Sequence, residues 1–404
     1  MLLSLAWRNV WRNRKRSLII LFSIAFGLWG GLFSDAMMLG MMDSVVETAI
    51  KRDIAHIQIH KEGYSKDKNL SNYIPDGETV LTECRQTSGV SAVSGRVLIE
   101  GIAASPASSF GVRIVGIDPA AARQVTDIHA NVIEGNYFEM NKRNPIVIGK
   151  KLAERLNLKI HSKVVLSFQD LHGNIAYMAC RVNGIFKTSS SQFDAMNVYL
   201  RHQDILRILD SPPIYHEIAI RIGSVQEVAL VATQLKERFS GLEVKDWQEI
   251  APELAYLADM TMMYSYVFVG IILLALLFGI TNTMLMSVVD RIREFGVLIA
   301  IGMNKVKVFS MIVMETILLS LTGGFIGILL GVVTISFFAR TGIDLGAISY
   351  SLESFGASTM LYPFLPVTMY IVLTGMIIIV ANIAALFPAW KATHLVPSEA
   401  IRTY

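Results

Sequence analysis

Two histidines in the first quarter of the chain have the spacing of a metal-binding pair. His56 and His60 stand four positions apart, the spacing at which two histidines on one helix face bind zinc. The residues between them, Ile57-Gln58-Ile59, alternate apolar and polar types, which is typical of a strand. Four residues of strand separate the two rings by about 13 Å, too far for both to bind one zinc ion at about 2.1 Å. The pattern favours a polar strand face, and we predict no metal site.

A second group has the residue types of a hydrolase triad. Ser189 to Ser191 precede Asp194, and His202 follows eight positions later. The serines are not in the strand-turn-helix motif that exposes a nucleophile, and no residue is placed to act as its base. We therefore predict a solvated loop over Thr188 to Gln192 and no catalytic residue.

The chain also lacks the usual phosphate-binding motif of an ATPase. No Gly-rich loop is followed by Lys-Ser or Lys-Thr, the pattern that cradles nucleotide phosphates. If ATP powers this protein, another polypeptide must bind it. We predict no cofactor bound by this chain.

The composition is that of a membrane protein. Of 404 residues, 53% are hydrophobic and 17% are charged, against about 25% charged in soluble domains. The net charge of +3 is too small to indicate nucleic-acid binding. Two cysteines, Cys84 and Cys180, exclude a disulfide scaffold and a four-cysteine zinc site, and whether they form one bridge stays open.

Apolar runs predict four transmembrane helices over residues 18–42, 260–289, 308–339 and 366–390. The charge-free part of the second run, Met262 to Val289, covers about 28 residues and roughly 42 Å of helix, more than the ~30 Å hydrocarbon core. This helix must tilt or extend beyond the membrane. Residues 1–17 place Trp7, Arg8, Trp11 and Arg12 at helical spacing, which suits a basic amphipathic helix at the membrane interface. A positive-inside anchor without a further role is the alternative.

Residues 43–259 have the composition of a water-exposed domain. Alternation predicts strands, and three- and four-residue steps predict helices at 150–158 and 225–239. His172-Gly173-Asn174 indicates a hairpin turn. We predict a large mixed α/β domain inserted between transmembrane helices 1 and 2.

Basic residues near the ends of the spans predict the orientation. They concentrate before the first span, in residues 290–307 and in residues 391–404, whereas residues 340–365 carry little positive charge. The positive-inside rule then places both termini and residues 290–307 in the cytoplasm, and residues 43–259 and 340–365 outside it. We therefore predict a multi-pass protein of the inner (cytoplasmic) membrane.

Two carboxylates and two sets of glycines lie within the spans. Asp35 and Glu315 favour positions at the outer and inner membrane interfaces, and a polar contact between helices is the alternative. The glycines recur at four-residue spacing, which lets helices approach closely in lipid, either within the chain or between subunits. They are Gly27, Gly31, Gly323, Gly327 and Gly331.

The chain resembles the MacB/LolC/FtsX family of ABC transporter permeases, also called type VII. Two segments carry most of the resemblance: DRIREFGVLIAIGMNK at 290–305 and FPAWKATHLVPSEAIR at 387–402. GVRIVGIDP, EGNYF, IVIGKKLAERLNLKIHSKV and CRVNGIF are similar to the MacB-type periplasmic core. His161-Ser162 departs from the Gly-Asp that the family often has there.

The resemblance implies that residues 290–307 form a coupling helix that docks on a cytoplasmic ATPase dimer. The residues it assigns to docking are Arg291, Arg293, Glu294, Phe295 and Gly302. The sequence itself adds an apolar stripe of Ile292, Phe295 and Ile299 suited to a groove, and i, i+3 pairs of opposite charge. ATP and Mg²⁺ would be held by the partner ATPase, and a second permease copy or a paralogue would complete the complex.

The layout is closest to the LolC/LolE-like lipoprotein-releasing permeases, which implies a lipoprotein substrate and a periplasmic chaperone. Two alternatives stay open. The same architecture could control a cell-wall hydrolase or a sensor kinase, or export peptides or drugs. The external domain could also be an enzyme, although no convincing catalytic cluster is present.

Overall fold

The structure is a computed structural model that describes residues 14–138, 143–346 and 359–393. These residues form two units, which we describe separately. The helical unit contains the described residues up to Asp43, Ala258–Asp344 and those from Met360 onward. The α/β unit contains Ser44–Leu257 and the described residues of Leu345–Thr359.

The first helix, α1, runs over Arg14–Ala49 and ends in a π-helical turn at Ile50–Ile54. The α/β unit then contributes ten strands. They are β1 Ile57–Lys61, β2 Val90–Ala104, β3 Ser109–Ile117, β4 Val132–Gly135, β5 Pro145–Gly149, β6 Lys163–Gln169, β7 Ile175–Phe186, β8 Asn197–Arg201, β9 Glu217–Ile222 and β10 Leu242–Asp246.

Short helices connect these strands. They are α2 Gly77–Arg85, α3 Pro119–Val125, α4 Lys150–Leu156, α5 Ser191–Met196, α6 His202–Leu209, α7 Val228–Arg238 and α8 Trp247–Ile250. Side-chain caps satisfy backbone N–H groups that a helix start leaves unpaired. Asp118 caps α3, Ser190 caps α5, and Asp246 forms a capping box with Glu249 on α8.

One mixed sheet organises the α/β unit, in the order β10-β1-β9-β2-β3-β8-β5-β7-β4, with β6 pairing β2 and β7. The pairs β3–β8 and β5–β7 are parallel, and the other pairs are antiparallel. The β6–β7 hairpin turns at the predicted position, where Asp170 accepts hydrogen bonds from the backbone N–H groups of His172 and Asn174, both at 2.8 Å. The largest apolar cluster of the sheet includes the fully buried Val97, Ile114, Ile146, Val198 and Leu200.

The helical unit contains α9 Pro252–Asp290, α10 Ile292–Ala300, α11 Lys305–Thr341 and α12 Val367–Thr393, and a short ribbon of β11 Ile343–Asp344 and β12 Met360–Leu361. Among the described residues, four helices are long and apolar enough to cross a membrane: Ser17–Ile54, Pro252–Asp290, Lys305–Thr341 and Val367–Thr393. The predicted fold class, four membrane helices with an α/β domain inserted after the first, is confirmed.

Two predicted features differ from the structure. The polar segment Thr188 to Gln192 is not entirely a loop, because α5 begins at Ser191 and Ser190 accepts a hydrogen bond from the Phe193 N–H at 3.3 Å. The four long helices also extend beyond the predicted membrane spans. A helix needs no membrane to satisfy its backbone hydrogen bonds, so it can continue past the apolar run. Residues 1–13, which contain Trp7, Arg8, Trp11 and Arg12, lie outside the described residues.

Candidate functional site

The segment between α9 and α11 is short and rigid. α9 ends at Asp290, Arg291 alone leaves the helical conformation (φ −109°, ψ 14°), and α10 begins at Ile292. After α10, Gly302 adopts φ +101°, a conformation that favours glycine and commonly ends helices. The Asn304 side chain then accepts a hydrogen bond from the Val306 N–H at 3.0 Å and caps α11. We call residues 290–304 the connector.

Arg291 is the centre of the connector. Its guanidinium Nη1 donates to the Glu315 carboxylate of α11 at 3.0 and 3.4 Å. Its Nε donates to Glu294 of α10 at 3.0 Å, and the guanidinium lies 5.1 Å from the centre of the Phe295 ring. One side chain therefore holds α10 and α11 together.

The Arg291–Glu315 pair is an internal contact. Both residues are 6% exposed, so two charges are removed from water and depend on each other. Removing one partner of such a pair typically costs about 3–5 kcal/mol, because the other charge stays buried. An ionisable residue in such a setting is by default a functional hypothesis.

The predicted docking residues separate into two groups. Arg291 and Phe295 are buried in the helical unit, Phe295 being 1% exposed, and Ile299 packs against the same apolar core. The predicted stripe of Ile292, Phe295 and Ile299 therefore does not offer Phe295 to a partner. The physical reason is that this stripe covers the chain's own helices first.

The exposed edge of the connector carries the other predicted residues, Arg293, Glu294 and Gly302. Sequence reasoning missed two apolar members of this edge, Val297 at 45% and Ile301 at 80% exposed. Their four-residue spacing was the signal for a second face. We call Arg293, Glu294, Val297, Ile301 and Gly302 the connector edge.

The two carboxylates of the spans are buried between helices. Asp35 of α1 is 0% exposed and accepts a hydrogen bond from the Ser265 hydroxyl of α9; its other oxygen has no hydrogen-bond partner among the described residues. Glu315 is paired with Arg291. Both therefore make the interhelical polar contacts that were the alternative, and their positions at the outer and inner membrane interfaces stay a prediction.

The glycine stripes lie where helices of the same chain approach closely. A Cβ on Gly327 would lie 2.8 Å from the Ala25 carbonyl oxygen of α1, and a Cβ on Gly323 would lie 3.0 Å from that of Leu21. Gly331 faces Leu32, while Gly27 and Gly31 face Leu276 and Ile272 of α9. These positions in α11 and α1 thus pack within the chain.

The candidate catalytic residues of the α/β unit do not form a triad. Asp194 is buried and accepts hydrogen bonds from the Thr188 N–H and, at 2.7 Å, from its hydroxyl. Burial raises the pKa of Asp194 to about 6, which the Thr188 hydrogen bonds partly oppose. His202 bonds to the Ile214 carbonyl oxygen at 3.0 Å and stacks on Tyr215. Each group has a separate structural partner.

His60 lies on the buried strand β1, and His56 directly precedes this strand. The Ile222 N–H donates to His56 Nδ1 at 3.1 Å, and His60 Nδ1 lies 2.9 Å from the His216 carbonyl oxygen. Burial lowers the pKa of His56, and the charge of Arg221 lowers it further. The part of the chain that the structure describes contains no group of three His, Cys, Asp or Glu residues placed to hold a metal ion.

Cys84 and Cys180 are free and buried. They belong to different apolar clusters of the α/β unit. Burial raises the pKa of each thiol to about 12, so neither is a reactive thiolate near neutral pH. The open question of a bridge between them is answered by their separate positions.

Four apolar helices, an inserted α/β domain and a rigid connector after the second membrane helix define a multi-pass membrane protein of the permease class. The chain belongs to the MacB/LolC/FtsX family of ABC transporter permeases, which confirms the resemblance. Residues 17–238 match the MacB-like periplasmic core domain, and residues 266–397 match the FtsX-like permease C-terminal region.

Relatives share low identity over much of the chain. The macrolide export ATP-binding/permease protein MacB of Agrobacterium fabrum is 21% identical over 81% of this chain and 51% of its own length. The lipoprotein-releasing system transmembrane protein LolC of Xylella fastidiosa is 21% identical over 80% of this chain and 79% of its own. An uncharacterized ABC transporter permease of Methanocaldococcus jannaschii is 24% identical over 53% of this chain and 54% of its own length.

The chain thus spans about half the length of the Agrobacterium and Methanocaldococcus proteins. Among solved structures, the periplasmic region of MacB from Actinobacillus actinomycetemcomitans is similar with a TM-score of 0.36 and 13% identity, over 52% of this chain and 97% of that one.

Proposed function

We propose that this chain is the membrane subunit of an ABC-type mechanotransmission complex. A cytoplasmic ATPase dimer docks on the connector, holds ATP and Mg²⁺, and hydrolyses the ATP. Its closure pushes the connector, and the membrane helices carry the movement to the external α/β domain. A second copy or a paralogue of this chain supplies the other half, and both termini lie on the cytoplasmic side of the inner membrane.

The connector edge is the observation that carries this proposal. Val297 and Ile301 are exposed apolar residues on a helix of two to three turns, flanked by the exposed charges of Arg293 and Glu294. An amphipathic helix of this kind fits a groove in a partner. The buried face of the same helix is fixed by Phe295, so a push on the edge moves the bundle instead of bending a loop.

The second membrane helix provides the route outward. α9 is a single 39-residue helix, roughly 58 Å long and therefore much longer than a ~30 Å hydrocarbon core. It connects the connector to the last strand and short helix of the α/β domain along the chain. A continuous helix transmits displacement along its axis because each residue is fixed by backbone hydrogen bonds.

We further propose lipoprotein release as the work done. The similarity to LolC covers 79% of that protein, against 51% of MacB, and this wider coverage supports the proposal. The alternatives that the same movement would serve are export of macrolides or peptides and control of a cell-wall hydrolase. The external partner decides among them.

The docking assignment is tested by charge and polarity changes on the connector edge. We expect Glu294→Lys and Ile301→Asp each to weaken association with the native ATPase by at least about tenfold, because each places a mismatched charge at the contact. The measurement is the dissociation constant of the purified chain and ATPase in nanodiscs, with the ATPase rate measured in parallel.

Glu154→Lys is the matched control, since Glu154 is an exposed glutamate of the α/β unit that pairs only with Lys151 among the described residues, at 3.4 Å. It should leave association unchanged. Unchanged association in both connector variants would refute docking on this edge. Capture experiments on the external domain separate the substrates: a lipoprotein or its chaperone supports release, and a wall hydrolase supports signalling.

A further inference from the structure

Arg291 occupies the one residue between α9 and α10 that is not helical. This residue is a natural joint because Arg291 leaves the helical φ and ψ values, although its N–H donates to the Val288 carbonyl oxygen at 3.2 Å and its own carbonyl oxygen accepts from the Phe295 N–H at 3.1 Å. The backbone alone would let α10 swing about this point. In the structure the swing is blocked by side chains.

The block consists of one guanidinium and two carboxylates. Arg291 bonds to Glu294, three residues along α10, and to Glu315, which belongs to the third membrane helix. The planar fork of arginine can direct hydrogen bonds to two carboxylates at once, which the single ammonium of lysine does poorly. Arg291 therefore joins the end of α9 to α10 through Glu294 and to α11 through Glu315.

Apart from Glu294, the residues that would contact a partner are different ones. The connector edge is exposed, whereas Arg291 and Glu315 are each only 6% exposed. The buried Arg291–Glu315 pair thus holds the joint without being part of the surface proposed to bind the ATPase.

We propose that Arg291 is a positioning residue and that its buried pair with Glu315 locks the connector joint, so that force received at the connector edge reaches α11 as well as α9. This inference rests on the proposed function for its consequence, but the lock itself is a property of this chain alone. When the Arg291–Glu315 pair is broken, the connector still binds its partner. It then turns about residue 291 and does not move the helix bundle.

The lock is tested first on the chain in nanodiscs. Spin labels on Val297→Cys of α10 and Val306→Cys of α11 report the distance between the two helices, since both side chains are exposed. We expect a narrow distance distribution in the parent chain and one at least about twofold wider in Glu315→Gln and in Arg291→Lys. Asp35→Asn, which alters the other buried carboxyl of the helical unit, should leave it narrow.

The consequence is tested in the complex with the native ATPase. We expect Glu315→Gln to bind the ATPase within twofold of the parent chain. The change in hydrogen exchange of residues 57–246 that trapping with ATP and vanadate, which leaves bound ADP and vanadate, produces in the parent complex should fall at least about fivefold. If Glu315 had only a structural role, Glu315→Gln would lower thermal stability. It would leave the change in hydrogen exchange intact in the folded complex.

Narrow distributions in both Glu315→Gln and Arg291→Lys would overturn the lock, and so would an undiminished exchange response in Glu315→Gln. If the parent chain binds no ATPase, the proposed function fails, while the label distances still decide whether the joint is locked.

Discussion

Arg291 illustrates how much one buried side chain can determine. At the joint between α9 and α10 it adds side-chain bonds to Glu294 and Glu315. The resemblance to the permease family assigns it to docking. Only the position of Glu315, 24 residues away, shows that the charge is used internally.

Asp194 gives the α/β domain a specific dependence on pH. Its pKa is raised by burial to about 6, against about 3.9 in an unfolded chain. The folded domain therefore binds this proton more tightly, and the free energy of unfolding decreases as pH rises from about 4 to about 6, by roughly 3 kcal/mol in total. Above that range this contribution is constant.

Asp194→Asn should remove this component, so that the variant loses less stability than the parent between pH 4 and 6. The measurement is chemical unfolding of the full chain in detergent at several pH values. Parallel plots of unfolding free energy against pH for parent and variant would contradict the assignment. A constant offset between the two plots, produced by the altered Thr188 hydrogen bonds, does not change this conclusion.

His161 occupies a backbone conformation that suits glycine. Its φ is +71°, in the left-handed region that costs an L-residue roughly 1–2 kcal/mol. His161→Gly should raise the free energy of unfolding by about 1 kcal/mol, because glycine adopts this conformation without a steric cost. Lys159→Gly is the control: Lys159 has no positive φ, so glycine there should lower stability. A loss of stability in His161→Gly would contradict the strain.

At the scale of the element, α10 shows what periodicity can and cannot tell. The stripe of Ile292, Phe295 and Ile299 was predicted correctly as an apolar face, but the sequence could not say what covers it. Within a membrane protein the first candidate is always the protein's own bundle, and Phe295 is buried there. The face left for a partner carries fewer apolar residues and a weaker pattern.

The glycines of α11 determine how closely this helix approaches α1. Gly327→Ala should lower stability by about 1–3 kcal/mol, because the added methyl group would meet the Ala25 carbonyl oxygen and the Leu28 side chain. The Ala25 carbonyl oxygen is part of the backbone of α1, so it cannot move aside unless α1 itself is displaced. Thermal unfolding in detergent measures the difference.

Gly324→Ala is the matched control on the same helix. No atom lies within 4 Å of a Cβ placed at Gly324, and alanine favours helix over glycine by up to about 1 kcal/mol. This variant should equal or exceed the parent in stability. Equal losses in both variants would contradict the assignment to close packing, because the open position should lose nothing.

At the scale of the whole molecule, composition and hydropathy were sufficient for four membrane helices and an inserted α/β domain, since a bilayer imposes length and apolarity on each span. The strand order was beyond sequence reasoning. β1 lies between β9 and β10, and β2 pairs with β9, and such pairings depend on contacts between residues far apart in the chain. The partner of Asp35 could not be predicted for the same reason, because Ser265 lies 230 residues away.

The orientation of the chain is a prediction for the whole molecule. Val225 and Val306 are equally exposed, each at 66%, and are predicted on opposite sides of the membrane. A membrane-impermeant maleimide should label Val225→Cys in intact cells and Val306→Cys only after permeabilisation. The native cysteines give no background, because both are buried. Labelling of Val306→Cys in intact cells would reverse the topology.

The pairing of β1 with β10 has a consequence for the history of such proteins. Ile57 pairs with Asp246, so the first and last strands of the domain lie about 4.8 Å apart. A domain whose ends are neighbours is an insertion cassette: recombination can lengthen, shorten or exchange it while the flanking helices keep their order. The sheet thus allows the inserted domain to be exchanged as one unit without a change in the order of the helices.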